Sequence, residues 1–537
     1  MRRLAALAAA AILALACASR PRAPAVSTRP AGAAPDGWWK DAVFYEVFVR
    51  SFKDSNGDGK GDLAGLVEKL DYLNDGDPAT DTDLGVDALW LMPIFESPSY
   101  HGYDVKSYDR IDKDYGTSED FDRLVAQAHR RGIRVVIDLV LNHTSEQHPW
   151  FSESARSPAS PRRDWYVWSP TDPGWTQPWN RDQTTWYQRG DAWYYALFWS
   201  GMPDLNYRTP AVREESKRIA RAWLARGVDG FRLDAVRHLV ETGPGPGQSG
   251  SPETHAFLKE FARAVREAKP DAVLVGEVWS NTLDIADYYG TGGDELQLLF
   301  DFPLATAIVE GVQAGDASRI ADVLAEVIRT YPRGAVDAPF LTNHDQIRIA
   351  TQLGNDPAKL RLAAAILLTL PGTPFVYYGE EIGMQNGPGR EDEQKRTPMA
   401  WDATPSGGFT AADEAWFSFA PGKETSNVAA ETRDRGSLLS RYRALIRARK
   451  AARALARGDL TMVRSDRGVL AYLRRRPGET VLVAHNLSGE PARIGPLASP
   501  ETLAEPLLVD AGGALVRDGF TWAGQVPARG SGIWRLH

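Results

Sequence analysis

Gly230-Phe231-Arg232-Leu233-Asp234-Ala235-Val236-Arg237-His238 is an apolar run that carries an arginine and an aspartate two residues apart. In a β-strand, residues two apart share a face, so Arg232 and Asp234 stand side by side. A charge at the end of an apolar strand is costly to bury unless it is paired or used. The strand that carries this pair is Val228–Val236, and runs of the same texture recur on either side: Val43–Phe52, Val86–Phe95, Ile133–Asn142, Val273–Val278, Leu296–Phe302, Phe340–Asp345 and Thr373–Ile382. Their near-continuous apolar starts suit strands buried on both faces of a parallel sheet. Helical patterns lie between them at Phe121–Arg131, Val212–Arg226, Pro252–Lys269 and Pro357–Leu370. Eight strand–helix units in succession predict an α/β fold, a (β/α)8 TIM barrel, with a doubly wound open sheet as the alternative.

The barrel pattern is interrupted once and then ends. Residues 143–206 are loop-rich and hold Trp150, Trp165, Trp168, Trp175, Trp179, Trp186, Trp193 and Trp199, too long a stretch for a connection. We read them as an inserted domain after strand three, splitting the barrel into 38–142 and 207–457. A small domain needs large rings to make a core, so most of these tryptophans are expected to pack and one or two to line a groove. Residues 458–537 alternate in strand fashion between Gly, Pro and Asp turns, which predicts a C-terminal antiparallel β domain.

At the N-terminus, Arg2 and Arg3 precede the apolar run Leu4–Ala16, too short to span a bilayer but suited to a secretory signal over residues 1–16. Cys17, the single cysteine, follows, so no intrachain disulfide can form. The stretch resembles a bacterial lipoprotein signal, which implies export and a membrane anchor through lipid on Cys17. Ordinary cleavage after Ala14-Leu15-Ala16, giving a secreted or periplasmic chain, is the rival. Residues 17–37 read as a flexible tether. The net charge of −8 argues against a nucleic-acid partner.

The remaining charges gather where barrel chemistry sits, at the C-terminal ends of the strands. Strand three runs through Asp138 to Asn142-His143, strand five ends in Gly276-Glu277-Val278-Trp279, and strand seven ends in Thr342-Asn343-His344-Asp345. One such carboxylate alone would be a structural ion pair. Four together, beside Arg232, His143 and His344, point to a site. These segments resemble the four sequence regions of the α-amylase superfamily, glycoside hydrolase family thirteen. The resemblance implies that Asp234 is the nucleophile, Glu277 the general acid/base and Asp345 the carboxylate stabilising the distorted sugar. It implies contacts to that sugar from Tyr103, His143, Arg232 and His344, and to the leaving group from His238.

Met202-Pro203-Asp204-Leu205-Asn206 resembles a fifth region of the family, in the form intermediate between oligo-1,6-glucosidase and neopullulanase types. Tyr100, where exo-acting relatives carry Asp, and Ala235, the type found in α-1,4-specific relatives, point to endo-acting α-amylase action on starch-like α-glucans. An α-glucosidase, a neopullulanase-like hydrolase or a transglycosylase on the same scaffold are alternatives, and a sugar-binding protein without turnover is a remote one.

After strand one, Asp54-Ser55-Asn56-Gly57-Asp58-Gly59-Lys60-Gly61-Asp62 places oxygens at alternate positions, with glycines allowing the turn. That pattern suits Ca2+, a hard cation, although position twelve is Gly65 and the loop is no EF-hand. The family has a calcium loop here, which implies Asp54, Asn56, Asp58, the Lys60 carbonyl and Asp62 as ligands. A solvated acidic turn is the other reading.

Overall fold

Eight short strands, seven of them the sequence's apolar runs trimmed to their most buried residues, make the central sheet: β1 (Phe44–Val47), β2 (Ala88–Leu91), β3 (Arg134–Leu139), β4 (Gly230–Leu233), β5 (Val273–Gly276), β6 (Leu298–Phe300), β7 (Val336–Ala338) and β8 (Phe375–Tyr377). The computed structural model describes residues 37–537; the Leu4–Ala16 run, Cys17 and the tether up to Asp36 lie outside the described residues. All eight strands pair in parallel in the order β7-β6-β5-β4-β3-β2-β1-β8. Phe340, just past β7, bridges in parallel to Phe375 of β8 and brings the two edges together. The sheet is thus a barrel and not an open doubly wound sheet. Its closing seam is aromatic: Phe375 stacks on Phe44 at 4.4 Å and meets Phe300 edge-on at 4.9 Å.

The helices outside the strands start where capping chemistry allows. Thr117 and Asp120 form a capping box ahead of Ser118–Arg130, Ser251 caps Pro252–Ala268, and Asp356 caps Pro357–Thr369. Pro210–Ala225 begins with proline at its first turn, where the missing N–H costs nothing. Gly230 opens β4 because β5 comes so close: a Cβ there would lie 2.1 Å from the Val273 carbonyl oxygen.

One expected strand is displaced, and the others run past the observed ends. The segment expected as strand seven, Phe340–Asp345, lies past β7, and Val336-Asp337-Ala338 forms the strand instead. Val43–Phe52 gives way after Val47 to a turn of 3-10 helix at Val49–Ser51. Thr373–Ile382 likewise turns to 3-10 helix at Glu380–Ile382. Apolar side chains continue past these strand ends because the loops above the barrel are themselves buried.

Between β3 and β4, Trp168–Ser169, Trp186–Arg189 and Ala192–Tyr195 form a three-stranded antiparallel sheet. Most of its tryptophans pack, as with Trp186 against Trp175 and Tyr195, whereas Trp179 and Trp199 stay exposed. At the C-terminus, eight strands from Asp459 to Leu536 form a five-stranded and a three-stranded antiparallel sheet. Trp522 and Trp534 fill the core between them. Buried Arg449 and Arg474 donate to carbonyls at the end of the Pro357–Thr369 helix, joining this region to the barrel. Among the described residues no helix is long and apolar enough to cross a membrane.

Candidate active site

Arg232 is the centre of the site and is only 1% exposed. Strand register sets Asp138 of β3 and Val275 of β5 beside it, so the strand ends converge on the guanidinium. Its Nη1 donates to Asp234 Oδ1 at 2.7 Å and to Asp138 Oδ2 at 2.9 Å. Its Nη2 lies 2.8 Å from Glu277 Oε2 as an ion pair. Ala235 turns into the left-handed region at φ 46°, and its amide donates to the same Glu277 oxygen at 3.0 Å. A non-glycine residue in that region is strained, a feature that clusters at functional sites.

A second cluster faces the first. His344 Nε2 lies 2.6 Å from Tyr103 Oη and 3.2 Å from Asp345 Oδ2, while its Nδ1 lies 2.7 Å from Glu46 Oε1. Tyr103 Oη donates to Asp138 Oδ2 at 3.1 Å, linking the two clusters. Arg396, from the loop after β8, donates to Asp345 Oδ1 at 2.9 Å and to the His344 carbonyl at 3.1 Å.

These environments separate the carboxyl groups in acidity. Burial raises Glu277 to about 7, with Arg232 opposing and Asp234 and Asp345 adding to the rise. Burial raises Asp234 to about 6, again against Arg232 and with help from Asp138 and Asp345. Burial would also raise Asp345, but His344, Arg396 and Arg232 hold it far below the usual carboxylate range. One carboxyl group is therefore kept protonated near neutrality beside two that ionise more readily, the division of labour that acid and nucleophile require.

Tyr103, His143, Asp234, Glu277 and Asp345 line one cleft of about 310 Å3, together with His101, Phe198, Trp199, Met202, Ala235, Asp392 and Arg396. Burial drives His143 down to about 3, so its ring is neutral. Arg232 lies beneath the cleft. His238 does not line it; its Nδ1 pairs with the Gln248 carbonyl at 2.7 Å and its ring meets Trp179 edge-on. Tyr100 stacks on Trp416, borders a neighbouring hollow, and accepts from Arg396 Nη1 at 3.4 Å at the edge of the cleft.

Glu46, Arg396 and Asp392 were not singled out from sequence. Glu46 sits inside the apolar β1, and the other two come from an irregular loop with no periodicity to place it. A polar residue in an otherwise apolar strand was the one available signal for Glu46.

In the 54–62 loop, Asp54 accepts hydrogen bonds from the amides of Asn56, Gly57 and Gly59 and from the Thr410 hydroxyl. Asp62 accepts from Ser55 and caps the Leu63–Glu68 helix at Gly65. Asn56 and Asp58 each accept the amide two residues on. Among the described residues no group of three His, Cys, Asp or Glu side chains is placed to hold a metal.

The α-amylase catalytic domain family matches residues 46–458. The chain is 42% identical over 457 residues to "Alpha-amylase 3" of Dictyoglomus thermophilum, covering 84% of this chain and 85% of that protein. It is 38% identical over 511 residues to "Trehalose synthase/amylase TreS" of Mycobacterium tuberculosis, covering 85% of this chain and 83% of that one. Among solved structures, α-amylase from H.orenii superposes with a TM-score of 0.84 at 41% identity, covering 93% of this chain and 100% of that one. The trehalulose synthase MutB of Pseudomonas mesoacidophila MX-45 superposes with a TM-score of 0.83 at 31% identity, covering 94% and 100%. With this fold and these carboxylates, the chain belongs to the α-amylase superfamily, glycoside hydrolase family thirteen, as an enzyme acting on α-glucosides.

Proposed function

We propose that the chain cleaves α-glucosidic bonds of short glucosides by a retaining double displacement and passes the glucosyl group to a sugar acceptor as well as to water. The observation that carries the mechanism is the single guanidinium that touches both Asp234 and Glu277. Sharing one guanidinium keeps two carboxyl groups close, which favours the separation of about 5–5.5 Å that retention needs. Asp234 attacks the anomeric carbon while protonated Glu277 gives its proton to the departing oxygen. Glu277 then takes the proton of the incoming hydroxyl, from water or sugar, as that oxygen displaces Asp234. Asp345 and His344 face the sugar whose ring must distort.

The relatives named as trehalose, trehalulose and isomaltulose synthases support transfer over endo-acting starch hydrolysis, and over the intermediate oligo-1,6-glucosidase–neopullulanase group. Starch hydrolysis is the second reading, favoured by the relatives named α-amylase and by Ala235 in the cleft wall. Product profiles on maltose, sucrose, maltotriose and soluble starch separate them. Transfer products or isomerised disaccharides appearing before glucose accumulates are expected. Mixed oligosaccharides released early from starch, with no transfer from short substrates, would select the second reading.

We also propose Ca2+ for the 54–62 loop, on its spacing of oxygen donors. Asp54 already accepts four hydrogen bonds, so binding through it requires some of them to be released. Chelation is expected to lower the melting temperature, because an ion bound only by the folded state stabilises it. An unchanged melting temperature would leave the loop to its own hydrogen bonds.

A further inference from the structure

We propose that Glu46 is a positioning residue of the reaction: from inside the barrel wall it holds His344 doubly protonated, and the imidazolium fixes Tyr103 and Asp345 against the sugar. The inference rests on the catalytic reading above but reaches a residue no part of that reading uses.

Glu46 projects from β1, is 2% exposed, and offers Oε1 to His344 Nδ1 at 2.7 Å. Nε2 on the far side of the ring lies 2.6 Å from Tyr103 Oη and 3.2 Å from Asp345 Oδ2. Asp345, lowered far below the usual carboxylate range, is ionised and can only accept on the Nε2 side, while Tyr103 Oη shares one proton between His344 and Asp138. Both ring nitrogens therefore face acceptors. A neutral imidazole carries one N–H and would leave one of the two carboxylates, Glu46 or Asp345, facing a bare nitrogen lone pair.

The groups around the ring agree on the sign. Glu46 approaches from β1, Tyr103 from the loop after β2, and Asp345 is the next residue in the chain. Trp90 of β2 meets the ring edge-on at 5.6 Å. The nearby cations are one step removed: Arg396 binds the His344 carbonyl, and Arg232 binds Asp138 and Asp234. Burial alone would strip the imidazole of its second proton, but Asp345 and Glu46 raise His344 to about 9. Burial likewise raises Glu46, against the pull of His344 and Arg232. Glu46 is the one carboxylate on the Nδ1 side, so its charge decides whether Nδ1 keeps a proton.

Glu46→Gln keeps shape and a hydrogen-bonding group while removing the charge. Nitrogen-15 NMR of the histidine side chains at pH 8, with His344 assigned through His344→Gln, should show an imidazolium in the parent and a neutral ring in Glu46→Gln. The variant should lose about 10–100-fold in kcat with a smaller change in KM, as expected when a group is misplaced in the transition state. Glu46→Asp, which restores the charge, should recover part of both signals. A neutral His344 in the parent at pH 8 would overturn the proposal, and that measurement needs no variant to fold. A Glu46→Gln protein that keeps both imidazolium and kcat would overturn it too. The NMR readout involves no sugar, so a failure of the glucoside reading would show only in turnover and leave the protonation result standing.

Discussion

Asp234→Asn is expected to lower kcat by about 10⁴-fold or more, since in the proposed mechanism it removes the group that forms the covalent bond and with it the reaction path. The protein should still fold, because Arg232 keeps Asp138 and Glu277 as partners. Azide distinguishes the two roles. With an activated aryl α-glucoside, Asp234→Ala opens space beneath the sugar, and azide should attack there to give the β-glucosyl azide. Glu277→Ala leaves Asp234 able to form the glucosyl-enzyme, and azide should then give the α-glucosyl azide. The reverse pairing of products would exchange the assignments. Parent-like turnover in Asp234→Asn would remove it from the mechanism.

Arg232→Leu is expected to be the most damaging substitution for stability. It strands Asp138, Asp234 and Glu277 in the barrel without their shared cation, and breaking a buried pair in this way costs about 3–5 kcal/mol. Burial already raises all three carboxyl groups despite Arg232, and its loss lets them rise further. A carboxyl group whose folded pKa lies above its unfolded value destabilises the fold as pH rises between the two. The deficit in melting temperature should therefore be larger at pH 8 than at pH 5, and a deficit that did not grow with pH would contradict the shared-counterion account. Arg232→Lys should also lose most activity, because one ammonium cannot span Asp234 and Glu277 as the planar fork does.

The barrel was legible because parallel strands buried on both faces leave unbroken runs such as Val135-Val136-Ile137 in the sequence. β7 was the least legible strand. Val336-Asp337-Ala338 carries an aspartate at its centre, and burial together with neighbouring Asp301 raises that carboxyl group well above the usual range. The more apolar Phe340-Leu341 drew the assignment downstream. Asp234, Glu277 and Asp345, which the fold brings to one cleft, stood out because each ends an apolar run of the sequence, where a charge is conspicuous. Arg396 could not, since nothing local marks a loop arginine that reaches Asp345 across 51 positions. His238 carried the expected residue type, but the turn Val236–His238 directs its ring toward Trp179 and Gln248.

The shared counterion also gives the proposed reaction its timing. While Asp234 is ionised, its charge helps keep the proton on Glu277. Once Asp234 is esterified by the sugar it carries no charge, and Arg232 loses one of the anions that divide its attention. Glu277 should then become the stronger acid and release its proton without any side chain having to move. The covalent step would thus turn the proton donor of the first half-reaction into the proton acceptor of the second, making the order of events a property of charge conservation around one arginine.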